Sequence, residues 1–146
     1  MKLSHLFDEG LLNREAFLHL TRHKPGIFSG LYMRRDGCPP HIFYNDAHAH
    51  QRQNSDITHE CAHDILGHVP AEVFDGLGCR VWNAEQEAEV DYFAPALLVP
   101  ADGALWALRS GLSDSEAAEH YRVSEKLFRM RAFRTGAKKR TGWTPG

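Results

Sequence analysis

No stretch of this chain stays apolar for the roughly 20 residues that a bilayer-spanning helix needs. Residues 1–10 also lack a basic start followed by an apolar core, so nothing there reads as a secretory leader. Cysteine is scarce: Cys38, Cys61 and Cys79 are odd in number and show no paired spacing. That argues against a disulfide framework and for a reduced, cytoplasmic setting. An excess of one charge is missing as well. The formal net charge is -2, from 17 Lys and Arg against 19 Asp and Glu, which leaves no whole-molecule field to attract nucleic acid. Internal repeats and low-complexity segments are lacking too. What remains is 146 residues of ordinary globular composition, enough for one domain around one core but not two.

The charge that is present is unevenly spread. From Tyr121 to Arg140, Arg122, Lys126, Arg129, Arg131, Arg134, Lys138, Lys139 and Arg140 stand against one acid, Glu125. Such a run is either a solvated helix face and tail or an electrostatic footprint for an anionic partner.

Along the chain, residues 3–21 carry Leu and Phe at roughly helical spacing, broken near Gly10. Ile27 to Met33 and His41 to Tyr44 read as two strands of a hairpin around the turn Asp36-Gly37, with Pro39-Pro40 confining the second strand to an edge. A helix is predicted from Ala49 to Gly67, its apolar positions Ile57, Cys61, Ile65 and Leu66 following the 3.6-residue period. Residues 70–82 read as a loop. Asn83 is a fitting N-cap for a helix reaching Val99, and Asp102-Gly103 reads as a turn before a short helix over Ala104 to Arg109. Ser113 or Asp114 caps a helix ending near His120, and Ser124 caps another ending near Thr135.

Within the central helix, His59-Glu60-Cys61-Ala62-His63 spells His-Glu-x-x-His. Residues four apart on an α-helix are displaced by about 40°, so both imidazoles leave from one face and can ligate one zinc ion. Glu60 beside them can then take a proton from activated water. A catalytic zinc site needs a third protein ligand, and Glu85, Glu87 and Glu89 are the candidates. Relative to the apolar stripe Val90, Phe93, Ala94, Leu97 and Leu98, Glu87 lies about 60° from centre, Glu89 about 100° and Glu85 about 140°. Glu87 is thus aimed most nearly inward, where a metal would offset the cost of an unpaired carboxylate. As solvated helix-face acids, all three would need no metal. Asp91, one turn beyond Glu87, is either a partner behind a ligating histidine or a plain surface acid. Cys61 lies some 160° from the metal-facing side and reads as a core thiol, and His48 and His50 read as surface histidines.

Taken together, His59-Glu-x-x-His63, Glu87-x-x-x-Asp91-x-Phe93-Ala94 and Leu97-Leu98-Val99-Pro100 resemble the ImmA/IrrE family of metallo-endopeptidases. The family shows a HExxH helix followed by a segment of the form E-x-x-A-N/D-x-F-A-A-x-L-L-M-P. The likeness begins near Ile42, takes in Arg52, and runs through Leu112-Ser113 to Gly136. Ser124 to Arg131 is similar to the family's closing helix. The resemblance implies a zincin-like α+β fold, mainly helical, with a small N-terminal-side β-sheet packed on the HExxH helix. It also implies one zinc ion held by His59, His63 and Glu87, with Glu60 as general base. The implied partner is a protein substrate, a helix-turn-helix transcriptional repressor, with no membrane and no direct nucleic-acid contact. Three departures stand out: Val90 and Pro95 where Ala is usual, and Ser55-Asp56 where Phe-Thr is common. Pro95 is expected to kink its helix.

A second, local likeness competes. His63-Asp64-Ile65-Leu66-Gly67-His68-Val69-Pro70 is similar to the iron-binding segment of the aromatic amino acid hydroxylases. On a regular helix His63 and His68 are about 140° apart, so only a distorted helix end would bring them together. His68 is better read as a residue serving the last carbonyls. The expectation is therefore a single metallopeptidase domain over residues 1–146, with the helices of 113–135 part of it and 136–146 a flexible tail. The alternative is a non-catalytic metal-containing module that docks a partner through its basic C-terminus. A closed, four-ligand site would favour it.

Overall fold

Two short strands precede a run of helices in the computed structural model, which describes residues 1–8, 29–33, 41–68 and 83–142, together with Arg14 and Pro39. The described elements are α1 (Leu3–Asp8), β1 (Gly30–Met33), β2 (His41–Tyr44), α2 (His50–Ile65), α3 (Ala84–Leu98), α4 (Ala101–Arg109), α5 (Asp114–His120), α6 (Glu125–Arg134) and α7 (Ala137–Arg140). The class is α+β and mainly helical, as expected. Strands β1 and β2 pair antiparallel, with Gly30 opposite Tyr44 and Met33 opposite His41. Lys2 adds a parallel bridge to Tyr44, so β2 has a neighbour on each side. The predicted turn at Asp36-Gly37, the start of the first strand, the loop over 70–82 and most of the helical pattern in 3–21 lie outside the described residues.

Helix α2 rests on both strands and on α3. Its inward face differs from the one the apolar period picked out. Ile65 and Leu66 are 60% and 38% exposed, whereas Glu60 and Ala62 are buried. Neighbours decide this. Ala62 packs with Val90, Ala94 and Phe93 of α3, and only a side chain that small lets two helices come so close. The helix stops at Gly67, whose φ of +70° is left-handed. There the His68 N–H donates to the His63 carbonyl at 2.9 Å and the Gly67 N–H to the Asp64 carbonyl at 3.0 Å, a Schellman closure.

Asn83 starts α3 as expected, its side chain accepting from the backbone N–H groups of Glu85 and Gln86. The helix runs unbroken through Pro95 to Leu98. Leu97, placed inward by periodicity, is 40% exposed. Helix α4 begins at Ala101, so the expected turn at Asp102-Gly103 is instead its first helical turn. Asp102 suits the positive end of the helix dipole, and Gly103 is required by crowding: a Cβ there would lie 2.6 Å from the Tyr121 hydroxyl.

The larger core joins α4 to α7 around fully buried Phe128, with Val99, Leu105 and Val123 and a set of buried alanines at 104, 107, 117, 118, 132 and 137. Small residues at so many contacts allow short helices to cross closely. Ser113 and Glu116 close a capping box on α5, and the Ser124 hydroxyl accepts from the Leu127 N–H to start α6. The segment expected as a tail from residue 136 opens with a further turn of helix. Gly136, at φ +69°, redirects the chain so that Ala137 is buried and Lys138 reaches Asp114. A long-range bond from the Asn54 amide to the Arg122 carbonyl, 3.0 Å, ties α2 to this helical unit.

Candidate metal centre

The i, i+4 spacing on α2 sets the rings of His59 and His63 5.1 Å apart, centroid to centroid. Across the α2–α3 contact, Glu87 reaches both. Its Oε2 is 3.1 Å from His59 Nε2 and its Oε1 is 3.8 Å from His63 Nε2. One ligand atom from each of the three lies within 4.8 Å of the others. A tetrahedral ion with bonds of 2.0–2.1 Å separates its donors by about 3.3 Å. Two imidazole nitrogens and a carboxylate, 3.1 and 3.8 Å apart at the carboxylate oxygens, are the kind of donors a zinc-like ion would draw together. Among the described residues no other group of three His, Cys, Asp or Glu gathers this way.

The neighbouring acids part company with Glu87. Its side chain is 12% exposed, against 66% for Glu89 and 77% for Asp91, and Glu85 is also exposed. Asp91 lies behind His59, its Oδ1 3.9 Å from Nδ1, which is beyond hydrogen-bond length. Glu60 is buried at 6% exposure. Strand β1 presses on it at Gly30, where a Cβ would stand 2.8 Å from Glu60 Cγ. Cys61 is half-buried and stays out of the cluster. Burial, then the charges of Asp64 and Glu60, push its thiol pKa up, and a protonated thiol is a poor ligand.

His68 is turned back by Gly67. Its backbone serves the last turn as expected, but its ring lies against His63, Nδ1 to Nδ1 at 3.0 Å, while its Nε2 meets Glu89 Oε2 at 2.8 Å. The two nitrogens point to opposite sides, so His63, His68 and Glu89 share no common centre of the kind an iron triad requires.

Sequence reasoning misplaced His48. It is not a surface histidine: its side chain is 8% exposed, with Nδ1 2.9 Å from Asp56 Oδ2 and Nε2 3.4 Å from the Asn45 amide. The available signal was Asp56 itself, an acid one turn ahead of the site where the family commonly has an uncharged residue. His50 is exposed as expected. Tyr32, buried on β1, donates its hydroxyl to Asp64 Oδ1, a contact that no spacing in the sequence announces.

No curated protein and no solved structure matches the chain. Residues 14–133, however, match the peptidase family described as the IrrE N-terminal-like domain. That span includes both strands, the helix with His59 and His63, the helix with Glu87, and the closing helices as far as Phe133. Its coverage of most of the sequence agrees with the two-part pattern first read around Glu60 and Glu87, and this chain belongs to the IrrE N-terminal-like family of metallopeptidases.

Proposed function

We propose that this protein is a zinc-dependent endopeptidase of a single domain, working in the cytoplasm, and that its substrate is a helix-turn-helix transcriptional repressor. The observation that carries the reading is the convergence of His59, His63 and Glu87, with buried Glu60 on the same helix between the two histidines. These three side chains would hold the ion. Bound there, zinc would supply the Lewis acidity that activates water and polarises a scissile carbonyl. Glu60 takes the proton from the attacking water and delivers it to the departing amine nitrogen. Burial against β1 limits the orientations open to its carboxylate, so it is held for that transfer. The substrate class rests on the family resemblance.

The non-catalytic alternative is less well supported. The gathered donors number three among the described residues, which leaves a coordination position for substrate. Much of the basic C-terminus is also engaged internally. Arg129 pairs with Asp114 and Glu125, Arg131 with the Val99 carbonyl, Lys138 with Asp114 and Arg140 with the Thr135 carbonyl.

The test joins metal analysis to a cleavage assay on purified helix-turn-helix repressors. Purified protein should carry about one zinc, Glu87→Gln should lower its zinc affinity, and Glu85→Gln should not. Glu60→Gln should keep zinc and fold while losing about 10²–10⁴-fold in rate, because an amide cannot accept the water proton. A Glu60→Gln protein as active as wild type would rule out the mechanism.

A further inference from the structure

Behind His63, on the side away from Glu87, lies a pair of residues that the reaction does not use. His68 is 8% exposed, and its ring meets that of His63 at an interplanar angle of 64°. The contact is Nδ1 to Nδ1 at 3.0 Å, and the other His68 nitrogen is 2.8 Å from Glu89 Oε2. His68 reaches this place through its backbone: the left-handed Gly67 and the bond from the His68 N–H to the His63 carbonyl carry it past the helix end and back over the ring.

We infer that His68 and Glu89 form a relay that fixes the ring orientation and tautomer of His63, making both positioning residues for the metal centre. The inference rests on the proposed ligand role of His63 and deepens it. The protons follow from that role. His63 turns Nε2 toward Glu87, so a lone pair on Nε2 for the metal leaves its proton on Nδ1. His68 Nδ1 must then accept, which leaves the His68 proton on Nε2, where it donates to the Glu89 carboxylate. Every donor in the relay finds an acceptor, and the Glu89 carboxylate at its end fixes which nitrogen of each ring carries the proton. Among the described residues His59 has nothing equivalent: Asp91 is 3.9 Å from its Nδ1 and largely exposed. Among these residues the two histidines are thus held unequally, His63 through a buried ring and His59 beside a solvent-side acid.

Partners of this kind change metal affinity by about 10–100-fold in general. Zinc affinity of the full chain, measured by competition with a chromogenic chelator, reads the effect without reference to catalysis. His68→Leu fills similar space without an acceptor and should bind zinc about tenfold or more weakly. His68→Asn puts an oxygen where Nδ1 stood and should recover part of that loss. Glu89→Ala, at an exposed position, should weaken zinc by a few-fold in the wild-type background and not at all in His68→Leu, because a relay is lost once. Circular dichroism of each zinc-free variant separates misfolding from weakened binding. Should His68→Leu fail to fold, the Asn and Glu89→Ala variants still decide the matter. A wild-type protein that takes up no zinc overturns the site and the relay together. Normal zinc uptake by wild type with unchanged affinity in the His68 and Glu89 variants overturns the relay alone. Additive losses from Glu89→Ala and His68→Leu do so as well.

Discussion

At Gly30 the backbone of β1 comes so close to the site helix that an added methyl group would lie 2.8 Å from Glu60 Cγ and 3.0 Å from its Oε1. Glu60 is buried, so it cannot yield toward solvent without leaving its place beside the histidines. Gly30→Ala is therefore expected to keep zinc and cost activity, on the order of tenfold to a hundredfold in kcat, as small misplacements of a catalytic group do. The check is kcat together with zinc stoichiometry. Zinc lost in parallel with activity would show that the substitution breaks the fold and not the placement of the acid. Helical phase alone put the two histidines on one face and preferred Glu87 to Glu85 and Glu89, and the carboxylate that meets both rings is Glu87. Phase could not find Gly30, His48 or His68. Each depends on a partner brought in by a different element or on a left-handed residue that reverses the chain, and neither effect has a period.

Helix boundaries were the most legible feature at the next scale, because caps are local chemistry. Asn83, Ser113 and Ser124 each accept from the first turn of the helix they precede. The face that α2 buries was less legible, since the crossing with α3 selects Ala62 and Glu60 over the apolar stripe. The start of α4 was hidden too, because Gly103 carries a turn signal but sits under Tyr121. The capping box on α5 yields a pH prediction. Hydrogen bonds from the Ser113 hydroxyl and backbone lower the Glu116 pKa below its ordinary 4.5. A carboxylate lowered in the folded state contributes stability that is fully present above its unfolded pKa and disappears as pH falls through the folded one. Wild type should accordingly lose part of its stability on acidification across that window. Glu116→Gln, which does not titrate, should show a shallower fall. Urea unfolding midpoints between about pH 3 and 6 measure both curves. Parallel curves would sink the assignment.

For the molecule as a whole, the basic run near the C-terminus is where sequence and structure differ most in meaning. Eight cations against one acid look like a surface field, yet part of that charge holds the last helices together. Asp114, at the start of α5, accepts from Arg129 Nε at 3.0 Å and Lys138 Nζ at 2.8 Å, both on Oδ2, while its buried Oδ1 has no hydrogen-bond partner among the described residues. Lys138 and Asp114 are 11% and 14% exposed, so water does little to screen the pair or replace it. Nothing in the local pattern of Lys138-Lys139-Arg140 distinguishes the first lysine from the second; only the turn at Gly136 aims one inward and leaves the other in solvent. Lys138→Met keeps most of the apolar stem and removes the more buried of the two donors to the Asp114 carboxylate. It should cost about 1.5–3 kcal/mol, as expected for a buried hydrogen bond between charged groups. Lys139→Met, on the exposed side, should stay within about 0.5 kcal/mol of wild type. Urea unfolding of the two variants side by side is the measurement, and equal stabilities would mean that the Asp114 pair does not anchor α7 to the core. If the difference appears, neutralising the whole cluster to probe partner binding would confound charge with stability. Lys126, Arg134 and Lys139 are then the positions at which to ask whether a substrate's association rate responds to salt.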